Sequence, residues 1–157
     1  MLRYLLAPLL LLLSIPAAAA GSCYREVLVN GEPMRQFTGY RHCVEFDPPR
    51  VISGIWIDRF EGMSFHEGIG DLALARGRKN PPWLEMDEQT IRPSDFRSRP
   101  FAGMAGQAYV LTFVGRTAKD MNRKPMEGYG HFGMSPGLIL VDRVINWQPL
   151  GPAGNVR

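Results

Sequence analysis

Three sets of residues in this chain have the types and spacing that chemistry requires. Gly128-Tyr129-Gly130-His131-Phe132-Gly133 spells G-x-G-x-x-G, the loop that holds a pyrophosphate when a strand precedes it and a helix follows it. Here a polar loop precedes it, and Met134-Ser135-Pro136-Gly137 and a β-rich run follow. No helix is predicted to aim its N-terminus at a phosphate, so this reads as a glycine-rich loop feeding the last strand. Gly133-Met134-Ser135-Pro136-Gly137 spells G-x-S-x-G, the nucleophile elbow of serine hydrolases. The elbow takes one oxyanion donor from the backbone N–H of the residue after the serine. That residue is Pro136, which has no N–H. A hydrolase of that type is therefore excluded on the strand–turn–helix context and on the missing donor.

The three histidines are His42, His66 and His131, and no two stand at i, i+4 or in H-x-H. No metal site or cofactor is assigned. A set gathered from separate loops, such as His66, His131 and Glu61, is the arrangement that spacing leaves open. The remaining candidate is a charged binding pocket of Glu61, Arg116, His131 and Asp142. Glu61 follows the end of one predicted strand, Arg116 ends another, Asp142 interrupts the last, and His131 lies between glycines beside Tyr129 and Phe132. The competing reading of Arg116 and Asp142 is a brace between strands, and that of His131 an aromatic lid over a barrel end.

These residues need elements to position them. Asn30-Gly31, between Val27-Leu28-Val29 and Met34-Arg35-Gln36-Phe37, accepts positive φ at both turn positions, as a type I′ hairpin requires. The runs at 51–59, 106–116 and 137–147 are rich in β-branched and aromatic residues and read as central strands with two apolar faces. Ile57, Val110, Phe113, Ile139 and Val141 are expected to be buried. Asp71 and Gly77 bracket one short helix, as N-cap and C′ residue. Trp83 to Met86 fits a strand or a helix start. The expected fold is mainly β: a small antiparallel, partly open barrel of the OB type with one or two short helices, or alternatively a β-sandwich.

The first twenty residues have the form of a secretory signal peptide. One cation, Arg3, precedes the run from Leu5 to Ile15, and Pro16 and Ala18-Ala19-Ala20 follow. At about 11 residues the apolar run is too short for a transmembrane helix, which needs roughly 20. Residues 21–157 are expected to form a single β domain. After signal cleavage no transmembrane span is expected. The chain carries 18 Lys and Arg against 15 Asp and Glu, a net charge of +3. That mild excess, partly in the loops holding Arg92, Arg97, Arg99, Lys119, Arg123 and Lys124, does not mark a nucleic-acid binder.

Cys23 and Cys43 are the only cysteines, and an oxidising compartment favours their bridge. Closing that loop is worth roughly 3 kcal/mol in the chain-entropy model. Ala20-Gly21-Ser22-Cys23 also loosely matches a lipobox, so lipidation at Cys23 is the alternative. Together these features point to an exported, periplasmic or extracellular β domain. It is expected to be non-enzymatic, binding an unknown protein or envelope component. The alternatives are a hydrolase with a loop-assembled Glu/His/Asp site and a secreted enzyme inhibitor.

Overall fold

In the computed structural model the chain opens on a hairpin, β1 (Tyr24–Val29) and β2 (Glu32–Phe37), turned at Asn30 and Gly31. Both turn residues have positive φ, 53° and 86°, as a type I′ turn demands. The structure describes residues 21–96 and 106–154. The expected signal segment and Arg97 and Arg99 lie outside them.

Cys23, just before β1, is bonded to Cys43, at the end of a single 3-10 turn spanning Arg41–Cys43. Their Cα atoms are 5.5 Å apart, inside the range a disulfide spans without distortion. The bond leaves Cys23 no thiol for lipidation.

Five strands form the second sheet: β3 (Arg50–Asp58), β4 (Ser64–Glu67), β5 (Trp83–Glu85), β6 (Gln107–Thr117) and β7 (Leu138–Pro152). Their order is β4-β3-β6-β7-β5. The two edges nearly meet, because Phe65 N–H of β4 donates to the Pro82 carbonyl beside β5 at 3.0 Å. The result is a nearly closed barrel rather than a sandwich. All pairs run antiparallel except β5 with β7, which is parallel. Trp83 to Glu85 thus resolves as strand, placed there by a long connection from β4. That connection carries helix α1 (Leu72–Gly77). The Asp71 carboxylate caps it as expected, accepting from the N–H groups of Ala73 and Leu74 at 2.7 and 3.0 Å. Gly77 falls inside the helix, and Arg78 takes the C-cap position.

Ile52, Trp56, Phe65, Leu84, Tyr109, Leu111, Phe113, Ile139, Val141 and Val144 fill the barrel. A second cluster covers the outer face of β3, where Ile55 and Ile57 pack with Ala75 of α1, Ala108 and Ala153. Of the five residues expected to be buried, Ile57, Phe113, Ile139 and Val141 are so, with Ile57 under α1 on the outer face. Val110 is only half-buried. It points outward from β6, where no helix covers the sheet, so the two-faced reading of that strand is corrected.

The long strand β7 changes face three times. Its register with β6 skips Asp142, Ile145 and Leu150 in turn. Each skipped residue is a β-bulge, which bends and twists the strand and shifts every later side chain to the opposite face. The interruption legible at Asp142-Arg143 is the first of these bulges.

Candidate functional site

The residues singled out for a pocket divide into two pairs. Arg116 and Asp142 meet on the outer wall of the barrel. The guanidinium donates twice to the carboxylate, Nη2 to Oδ1 at 2.6 Å and Nε to Oδ2 at 3.0 Å. The bulge at Asp142 aims this side chain across to β6. Asp142, with Asp87 farther off, holds the Arg116 guanidinium above its ordinary pKa. Arg41 joins the same wall, bonded to Glu85 at 3.0 Å and Asp87 at 3.1 Å. Arg41 and Arg116 lie 5.8 and 5.9 Å from the centre of the Phe46 ring. The wall therefore ties the disulfide segment to β5, β6 and β7 through paired charges.

Glu61 and His131 meet elsewhere, at a cleft of about 330 Å³. Three segments form it: the β3–β4 turn, the stretch from α1 to β5, and the loop from His131 to Pro136. Glu61 stands in the turn with φ of 57°, a left-handed conformation that costs a non-glycine residue energy. His131 begins a single 3-10 turn, His131–Gly133, that follows Gly130. Gly130 has φ 68° and ψ −153°, and a Cβ there would lie 2.3 Å from the Trp83 ring. Only glycine fits, so this one residue fixes how His131 enters the cleft. The His131 Nε2–Glu61 Oε2 distance is 3.4 Å. That is an ion-pair distance, but the alignment is not that of a hydrogen bond, and the buried Nε2 has no other partner.

His66 lies on the same cleft. The set His66, His131 and Glu61, left open by spacing, is thus brought to one place by the fold. Its ligand atoms are not gathered as a metal would need. Among the described residues the group that is so gathered is Cys23, His42 and Cys43, where both sulfurs are already bonded to each other. His66 is buried, and its Nε2 lies 3.3 Å from the Ser64 hydroxyl. Burial first, then the charges of Arg78 and Arg59, push its pKa below the ordinary histidine value.

Sequence reasoning did not find the arginines of this cleft. Arg59, Arg76 and Arg78 all line it. They sit in a turn, at the end of a helix shorter than two turns and just beyond it, where no periodicity marks a shared face. The basic cluster that the sequence did mark behaves differently. Arg123 is stacked on Tyr129 and Phe37, 4.3 and 4.6 Å from the ring centres, so it pins a loop instead of facing water.

The motif residues have structural partners. Tyr129 and Ser135 form a bridge, exchanging N–H···O bonds of 2.7 and 3.0 Å. Tyr129 is buried on the barrel, whereas Phe132 is exposed. Ser135 therefore lies in extended backbone, with a strand following and no elbow. Asp58, at the end of β3, is buried without an ion-pair partner among the described residues, and burial alone pushes its carboxyl up to about 6. Compared with known proteins, the chain matches no family model, no curated protein and no solved structure.

Proposed function

We propose that this protein is an exported, non-enzymatic β-barrel domain that binds a protein or envelope component through the cleft at Glu61 and His131. The observation that carries this reading is the cleft itself. It is concave, it holds polar groups with unmet hydrogen bonds at His131 and Arg59, and Met134 of its lining and Phe132, packed against the His131 ring, are exposed. Recognition sites combine such apolar edges with a few convergent polar groups. The disulfide supports an oxidising compartment. Together with the signal-like first twenty residues, it supports export.

The cleft contains serine and histidine, and the Ser64–His66 contact is the geometry closest to a nucleophile and base. A third group orienting the base is expected in such a device. No carboxylate contacts His66 among the described residues.

A photo-cross-linking residue at Phe132, in cells that export the protein, tests the reading. A saturable adduct is expected there and not at the equally exposed Leu28 of the hairpin. Equal labelling at both positions would remove the cleft as the contact surface. Covalent capture of Ser64 or Ser135 by a fluorophosphonate would replace binding with hydrolysis.

A further inference from the structure

The cleft gathers positive charge that the fold does not neutralise. Three arginines line it, Arg59, Arg76 and Arg78, beside the imidazoles of His66 and His131, and Glu61 is the one acid in the lining. None of the three guanidinium groups meets a carboxylate among the described residues. Arg59 donates to the carbonyls of Ala153 and Gly154 at 3.3 and 3.0 Å. Arg76 donates to those of Ala153 and Pro152 at 2.6 and 3.1 Å. Neutral carbonyls orient these cations without cancelling their charge. The Nε of Arg59 is buried with no acceptor, and the Arg78 guanidinium has no hydrogen-bond acceptor among the described residues. Burial first, then the charge of Arg76, lowers the pKa of Arg59.

Repulsion of this kind is relieved by an anion, and the donor set specifies which sort. Guanidinium forks match the geometry of phosphate and carboxylate oxygens, and two imidazoles add further donors. A phosphate monoester brings up to two negative charges and three acceptor oxygens, so it answers several cations at once where a carboxylate answers fewer. The cleft volume of about 330 Å³ leaves room beyond the anion for part of the group that carries it. Met63, Trp83 and Met134 offer apolar surface for that part.

We propose that the cleft is a binding site for the phosphoryl group of a phosphate monoester, with Arg78 as its principal donor, His131 as a second, and Glu61 as the intrinsic competitor for His131. This rests on the reading of the cleft as a ligand site and names the chemistry that the envelope component would carry. Glu61 touches His131 from an exposed position, so an arriving phosphate has only that weak contact to displace.

Calorimetric titration of the purified protein with phenyl phosphate, inorganic phosphate and benzoate tests this. Phenyl phosphate is expected to bind saturably and at least tenfold more tightly than benzoate, with inorganic phosphate between them. Arg78→Gln is expected to weaken phenyl phosphate at least fivefold with an unchanged melting temperature. Glu61→Gln is expected to strengthen it severalfold. Lys124→Gln, which removes an exposed cation outside the cleft, controls for net charge and is expected to change nothing. Vesicles of phosphatidic acid, set against phosphatidylcholine, separate the two sources of the group. Binding to the charged vesicles places the monoester on a lipid, and binding only to the soluble phosphate places it on a free molecule. Either result supports the site. No saturable binding of any phosphate, equal affinity for benzoate, or an equal loss in Lys124→Gln would overturn it. If phosphates fail while the Phe132 adduct still saturates, the phosphate assignment falls and the binding reading stands. If phosphates bind while no adduct forms, the cleft stands as a phosphate site and its contact with a protein or envelope component at Phe132 falls.

Discussion

Two of the acid–base pairs in this protein make opposite uses of the same chemistry. Arg116 and Asp142 face each other with two aligned hydrogen bonds on rigid strands. Glu61 and His131 approach to 3.4 Å on two turns, without alignment. In the first pair both partners are occupied by the fold. In the second, donor capacity is left over. The difference teaches that proximity of opposite charges does not mark a site; unspent hydrogen-bonding capacity in a concave place does.

The sharpest way to break the comparison is to remove what seats His131. Gly130→Ala forces a side chain into a conformation close to glycine-only and against the Trp83 ring. The combined strain and overpacking predict a loss of about 3–5 kcal/mol, read by chemical denaturation. An unchanged midpoint would show that the loop is free to move and that the cleft is not preformed.

Asp58 supplies a carboxylate with no cation, and so the limit of the comparison. Its carboxyl titrates at about 6 against an ordinary value of 3.8, so the folded state resists its ionisation. The penalty is present above pH 6 and disappears as pH falls toward 3.8. Asp58→Asn is therefore expected to stabilise at pH 7.5 by up to about 3 kcal/mol, with the gain fading at pH 4.5. His66 works in the opposite sense. Its lowered pKa means that the unfolded chain takes up the proton first, so stability is lost as pH falls below the ordinary histidine range. Between pH 7 and 5 the stability of Asp58→Asn should therefore fall more steeply with acid than that of the wild type.

Smaller effects separate the two pairs directly. Asp142→Asn is expected to cost about 1 kcal/mol, since the pair is charge-assisted but partly open to solvent. Glu61→Gln should lie within about 0.5 kcal/mol of wild type, as an exposed contact does. Equal costs would erase the distinction between brace and site.

The elements were more legible than the way they fit together. Asn30-Gly31 announced its hairpin, Asp71 its helix cap and Cys23–Cys43 its bridge, because each is decided by neighbours in sequence or by a single possible pairing. The inner face of β7 was not legible. Three bulges shift its alternation at Asp142, Ile145 and Leu150, and a strict period of two cannot follow that. Val110 misled for a related reason: an apolar residue on an outer face is buried only where something covers it, and the cluster under α1 takes in Ala108 of β6 but not Val110. Glu61 and His131 were visible as chemistry in probable turns. Arg59, Arg76 and Arg78 stayed hidden because their common address is made by tertiary packing.

The bridge between Cys23 and Cys43 lies wholly ahead of the barrel, whose first strand starts at Arg50. A chain is synthesised from its N-terminus, so both sulfurs emerge before any barrel strand does. Their oxidation needs no partner from later in the chain, and no third cysteine competes for it. Mispairing within one molecule is thus ruled out by arithmetic, and proofreading by an isomerase has nothing to correct. For this bond, the only folding factor of use is an oxidant.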